Sequence, residues 1–166
     1  MKWSTDSPLE VSTIMERVAS ILDEDDMCVL GTIEEQEPRL TPCFFARLGE
    51  HRLVFVSSKE ARHVINGHTN PHCSALVVPK QTQGRLVSVH LSGTIMFPQG
   101  RDRLAALTAY ASQMKGKLLA VNNMHGLLDK RVFILEAERV ELVDTHLHHG
   151  RILVERNHSV IGNSMT

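Results

Sequence analysis

The run from Arg85 to Phe97 constrains the fold more than any other stretch, because it reads as one unusually long β segment with Ser92-Gly93 at its middle. A glycine inside a strand marks a bulge or a sharp bend, and a long strand that bends favours a closed barrel over a flat sheet. The rest of the chain supplies shorter strands to close with it. Met27 to Ile33, Arg39 to Leu48, Arg52 to Ser57, Cys73 to Val78 and Val132 to Val143 all have strand character and are separated by polar or Gly-containing turns. Pro42 falls inside the second of these, so that strand belongs at an edge or a bulge, since proline donates no ladder hydrogen bond.

Helices punctuate the strands. Ser7-Pro8-Leu9-Glu10 has capping-box spacing with proline at the first helical position, and Val11, Ile14, Val18, Ile21 and Leu22 follow as one apolar stripe. A second amphipathic helix is expected from about Arg101 to Met114. Leu118, Leu119 and Val121 suggest a helical turn, and 122–126 is loop-like. The expected architecture is mainly β, a six-stranded antiparallel split barrel with peripheral helices in a single domain over 1–166. Its N-terminal helix covers about 8–24, its barrel about 27–144, and a polar tail about 146–166, with the last ten or so residues disordered.

The only tight group of anion-binding side chains lies just after the third strand. Ser57, Ser58, Lys59, Arg62 and His63 follow one another closely, up to the break at Asn70-Pro71. A helix beginning at Ser58 would present free backbone N–H groups and place Lys59 on one face with Arg62 and His63, which makes a phosphate cradle. The plainer alternative is that Ser58 only caps a helix while Lys59 and Arg62 stay in solvent.

Other chemistries have less support. With a net charge of −1 there is no global field for nucleic acid, and although Arg101, Arg103, Lys115 and Lys117 surround the second helix, Asp102 dilutes them and aromatic residues are only 4%, so no nucleic-acid surface is expected. No apolar run approaches the length of a membrane span, and the first residues lack a signal-peptide core, so the expected location is cytoplasmic. Cys28, Cys43 and Cys73 are far apart, without Cys-x-x-Cys spacing, and read as reduced and inert. Asp144, His146 and His148 alternate and would share a face of an extended segment, an alternative metal site, but an exposed histidine-containing turn ended by Gly150 is the favoured reading, since no further anchoring motif is present.

Taken together, Thr41-Pro42, Phe55-Val56-Ser57-Ser58-Lys59 with Arg62-His63, Asn70-Pro71, and Val87 to Gly93 leading into Thr94 resemble the pyridoxamine 5′-phosphate oxidase-like FMN-binding split-barrel superfamily. The resemblance runs from about Asp23 to Asp144, with Val132 to Asp144 matching the family's late strand. It implies a homodimer with FMN at the subunit interface. Ser57, Lys59, Arg62 and His63 would contact the phosphate, with Ser58 at the start of the same turn. Thr41 and Pro42 backbone groups would lie beside the isoalloxazine, and Ser88 and His90 would line the same cleft.

The tryptophan and arginine that complete the oxidase site near the C-terminus are not matched: the only tryptophan is Trp3, and Arg151 and Arg156 stand without that context. The resemblance therefore implies an FMN-dependent oxidoreductase acting on an unassigned small-molecule substrate, with no named catalytic residue. The alternative is a non-enzymatic split-barrel dimer that binds haem, a metal or another anionic small molecule.

Overall fold

A computed structural model describes residues 2–80, 84–114, 130–147 and 150–157. Its strands are β1 (Lys2–Thr5), β2 (Met27–Glu34), β3 (Glu37–Phe44), β4 (Ala46–Arg47), β5 (Arg52–Ser57), β6 (His72–Val77), β7 (Val87–Met96), β8 (Arg131–Asp144) and β9 (Arg151–Asn157). Among the described residues three helices accompany them, α1 (Val11–Glu24), α2 (Arg62–Thr69) and α3 (Gly100–Gln113).

All strand pairs are antiparallel, and they close into a ring. β3 pairs with β2, β2 with β6, β6 with β7, β7 with β8, β8 with β5 and β5 with β4, which continues β3 through Phe45. Counting β3 and β4 as one interrupted strand gives the six-stranded barrel expected from the sequence. The interruption at Phe45 is its split: the Phe45 side chain is fully buried and its N–H donates to the Asp26 carbonyl at 2.9 Å.

The expected bend is present. Ser92 pairs with Arg139 but Gly93 pairs with Ala137, so the ladder slips by one residue and Glu138 is the extra one on β8. β8 then changes partners along its other edge, pairing with β5 over Arg131–Glu136 and with β9 over Arg139–Val143.

The barrel is filled by inward-facing side chains of alternating strand positions, among them Leu30, Leu53, Phe55, Val89, Leu91, Phe133 and Leu135. Phe55 stacks on Phe133 with centroids 4.9 Å apart. Burying a ring of that size contributes about 1.5–3 kcal/mol. α1 adds Ile14, Val18, Ile21 and Leu22 to this core from one helix face. α3 packs outside the barrel, where Ala106, Tyr110 and Met114 meet Ala46, Val54, Val132 and Ile134. Gln113 ties the parts together: its Oε1 accepts from the Arg47 N–H, and its Nε2 donates to the Leu22 and Asp25 carbonyls. α2 lies close against β7, and a Cβ at Gly67 would come within 2.8 Å of Ile95 Cδ1.

Three expectations need correction. α1 begins at Val11 with Glu10 as its N-cap, because Ser7 spends its hydroxyl locally, accepting from the Leu9 N–H at 3.2 Å. α2 begins at Arg62, not Ser58; Ser58 Oγ donates to the Glu60 carboxylate, and a turn closed by the Ala61 N–H on the Ser58 carbonyl precedes the helix. The region past 146 is not only a polar tail: Arg151–Asn157 is strand β9, which buries Ile152 and Val154 and pairs with both β8 and β1. The residues read as a helical turn at 118–121 and as a loop at 122–126 lie outside the described residues, as do the last nine of the tail.

Candidate functional site

The split leaves backbone unpaired. β3 pairs only with β2, and β4 pairs only with Leu53 and Val54 of β5. The far edge of β3 and the Phe55–Ser57 end of β5 therefore have no ladder partner for each other among the described residues. Unpaired strand edges offer N–H and C=O groups to whatever fills the gap. Thr41 and Pro42 stand on that free edge, and Ser57 closes the opposite side. From there the chain runs through Ser58, Lys59 and Glu60 into the first turn of α2, whose Ala61 N-cap makes no side-chain capping bond.

The charges at this end are concentrated on one carboxylate. Glu34 forms ion pairs with Arg39, whose Nε lies 2.9 Å away, and with Arg62, whose Nη1 lies 3.0 Å away. Arg39 also approaches Glu37 at 3.4 Å. Two guanidinium groups, one from β3 and one from the start of α2, thus converge on a single anion. Both arginines are well exposed, so these pairs stabilise the fold little and are open to exchange. Sequence reading missed Arg39: a lone arginine in an exposed strand carries no signal, and only the β2/β3 register, which sets Arg39 opposite Thr32, brings it to Glu34.

The structure does not gather every residue expected at the cradle. His63 is only 8% exposed, with its ring 5.7 Å from that of Phe133 and its Nε2 buried without a hydrogen-bond partner. Burial lowers its pKa, so the imidazole stays neutral and belongs to the core. Ser58 is occupied by Glu60, and Lys59 lies 3.9 Å from the same carboxylate. Lys59 also lines a separate cavity of about 370 Å³ with Arg103, Lys130 and Arg131.

Ser88 and His90 face outward from β7, away from the buried positions that alternate with them. They line a cavity of about 520 Å³ on the outer face of the sheet, walled by Val29, Leu40, Leu76 and Val143. His90 Nδ1 lies 3.8 Å from Glu141 Oε2, which also forms an ion pair with Arg151 at 3.2 Å. Around this cavity the surface is apolar: Leu40 is 73% exposed, and Val29, Leu76 and Val78 are open as well.

The alternative metal residues separate. Asp144 is 2% exposed, its Oδ2 bonded to Arg17 Nε at 2.8 Å and its Oδ1 accepting the His146 N–H at 3.0 Å. Both oxygens are thus engaged, Oδ2 in tying α1 to the end of β8 and Oδ1 in the turn that follows β8. His146 is exposed, and His148 lies outside the described residues. Among the described residues no group of three or more His, Cys, Asp or Glu side chains is placed to hold a metal ion. No described helix is long and apolar enough to cross a membrane.

Comparison with known proteins agrees with this architecture. The sequence profile of the family described as pyridoxamine 5′-phosphate oxidase matches residues 14–144. A heme binding protein from Mycobacterium smegmatis superposes with a TM-score of 0.68 at 22% identity, covering 83% of this chain and 55% of its own. This chain therefore spans little more than half of that relative. A conserved hypothetical protein from Mycobacterium tuberculosis gives 0.66 at 17% identity, over 99% of this chain and 100% of the other. An FAD-binding protein from Mesorhizobium loti gives 0.62 at 14% identity, over 95% and 100%. No curated protein sequence matches the chain. At these identities the structural likenesses speak for the fold.

Proposed function

The chain belongs to the pyridoxamine 5′-phosphate oxidase family, and from that premise we propose that it is a flavoprotein that holds FMN in the split of its barrel and acts as an oxidoreductase on a small-molecule substrate. The observation that carries this reading is the convergence of Arg39 and Arg62 on Glu34 beside the free edge of β3. The Glu34 carboxylate marks where an anion is held, and the residues present fit a phosphate in its place. Two guanidinium forks match phosphate oxygens, and the uncapped N-terminus of α2 adds backbone N–H groups.

When bound, FMN supplies the hydride and electron chemistry. The protein's part is to position it. Arg39 and Arg62 would exchange Glu34 for the phosphate, Ser57 would add a hydroxyl, and the backbone of Thr41 and the carbonyl of Pro42 would orient the ring along the edge of β3. The apolar outer face around Leu40, Leu76 and Val78 suits a second copy of the chain, which makes the functional unit a homodimer. Ser88 and His90 stand on the face that this dimer would bury, so they would reach a cofactor only across the interface.

A second reading has one observation of its own. His90 is an imidazole in an apolar-walled cavity, the kind of residue that holds haem iron, and the Mycobacterium smegmatis protein is described as heme binding. One experiment separates the two. FMN and haem are titrated in turn into the wild-type chain, the Arg39→Ala/Arg62→Ala double variant and His90→Ala. The flavin reading expects FMN affinity to fall on the order of a hundredfold in the double arginine variant. Unchanged FMN affinity there, with a Soret band lost only in His90→Ala, would transfer the assignment to haem.

A further inference from the structure

The ribbon made by β1 and β9 reaches further along the barrel than its ladder to β8 does. β9 pairs with β8 only from Arg151 to Glu155, opposite Arg139–Val143, whereas β1 follows β9 out to Trp3 opposite Arg156 and Lys2 opposite Asn157. Past Arg139 comes the extra residue Glu138, and beyond it β5 takes over the same edge of β8. The tip of the ribbon is therefore held to the barrel by side chains, not by backbone pairing. Arg156, its side chain only 9% exposed, donates from Nη1 to Glu136 Oε1 at 2.8 Å. Trp3, half-buried against the core, meets the His51 ring edge to face with centroids 5.7 Å apart.

Both contacts meet at His51. This residue immediately precedes β5, its carbonyl accepts the Ala137 N–H at 2.9 Å, and its Nε2 lies 4.0 Å from the same Glu136 oxygen that Arg156 holds. Its Nδ1 is buried without a hydrogen-bond partner among the described residues. A neutral ring suits this setting, with its one N–H on Nε2 toward Glu136 and a bare Nδ1. A second proton would go to Nδ1, where it meets no acceptor, and a buried charged donor left unpaired is costly. The charges that face the ring are Arg156 of β9 and Arg52 of β5, which oppose an imidazolium, and Glu136 of β8 and Glu50 of the bend before β5, which favour it; Trp3 of β1 brings no charge. Burial is the largest influence, and with the two arginines it holds the pKa below the ordinary imidazole value. A ring freed into water takes its proton more readily, so docking is complete above that ordinary value and weakens as pH falls through the docked one.

We propose that His51 is a proton-operated latch: neutral, it seats Trp3 and keeps the tip of the β1–β9 ribbon on the barrel, and protonated, it frees that tip. With a quarter of its side chain exposed, the ring is within reach of protons from solvent. The release is local, because Ile152 and Val154 stay buried in the core and the β8–β9 ladder runs on to Val143. What it bares is Trp3 and the stretch of β8 around Glu136. None of these residues stands at the split, so the latch does not depend on the flavin reading.

Trp3 is the only tryptophan of the chain, so its fluorescence reports the tip directly. Acrylamide, an uncharged quencher, is titrated into the full chain at steps from about pH 7.5 to about pH 5, with far-UV circular dichroism recorded alongside. The same is done with His51→Phe, which keeps a ring against Trp3 but takes no proton, and with His51→Gln, which is neutral and polar; either variant alone decides the outcome if the other does not fold. In the wild type the quenching constant is expected to rise severalfold on acidification, with a midpoint below the ordinary imidazole value and unchanged circular dichroism. In both variants it is expected not to depend on pH. Quenching that stays constant in the wild type, rises equally in the variants, or rises only as the circular dichroism collapses would each overturn the latch. A fall in emission with no gain in acrylamide access would overturn it as well, since the ring would then titrate beside an indole that stays in place.

Discussion

Gly93 stands so close to Glu136 that a Cβ at position 93 would fall 2.0 Å from the Glu136 carbonyl oxygen. It is the backbone of β8 that blocks the space, so no rotamer change relieves the clash. The slip in register between β7 and β8, and with it the curvature that closes the barrel, requires glycine there.

Gly93→Ala is accordingly expected to destabilise the fold by about 3 kcal/mol or to prevent folding. Urea unfolding measures this as a lower midpoint with unchanged slope. A midpoint within experimental error of the wild type would mean that β8 can move away without cost.

The Asp144 carboxyl gives the fold an acid limit. Burial works to raise its pKa, but the hydrogen bond from Arg17, the His146 N–H and their charges more than offset this, and the group lies below the usual carboxylate range. A depressed carboxyl pKa gives stabilisation that is complete above the unfolded-state value and lost as pH falls through the folded one. Arg17→Ala should cost about 2 kcal/mol near neutrality and move the acid-unfolding transition to higher pH. Identical acid transitions in the two proteins would remove Asp144 from the account.

Glu34 competes with the proposed phosphate for the same two arginines. Glu34→Gln is therefore expected to tighten FMN binding severalfold, most at low salt, while costing less than about 1 kcal/mol of stability because the pairs it loses are exposed. Weaker FMN binding in Glu34→Gln would mean that the carboxylate positions the arginines rather than occupying their site.

The three thiols should be silent in the native protein. Cys28 and Cys43 face each other across β2 and β3, and burial pushes Cys43 up to about 11, Cys73 to about 12 and Cys28 higher still. At pH 8 Cys43 should react with a disulfide reagent about two orders of magnitude more slowly than a free thiol, and the two buried cysteines more slowly again. Addition of urea should release all three. Fast labelling of Cys28 without denaturant would contradict the burial seen here.

Much of the barrel was legible because its signals are local. Ser92-Gly93 announced the bend, Pro42 announced an edge, and Asn70-Pro71 marked the end of α2, where Asn70 Oδ1 accepts from the His72 N–H. Misplaced elements had competing local chemistry: Ser7 and Ser58 look like helix caps but spend their hydroxyls on a tight turn and on Glu60. β9 was hidden because Ile152-Leu153-Val154 is too short a run to distinguish from an interruption in a polar tail until β8 supplies its partner. The candidate site was half visible. Ser57 and Arg62 follow from a sequential cluster, whereas Arg39 reaches Glu34 through strand pairing, and His63 is drawn into the core by Phe133.

The pairing of β1 with β9 carries a consequence for the order of assembly. Ser4 and Asn157 share a hydrogen bond across 153 positions, so β1 gains its neighbour only after β9 has been made. Until then the Arg139–Val143 stretch of β8 is a bare flank on an otherwise finished barrel, and the nascent protein is most exposed to self-association there.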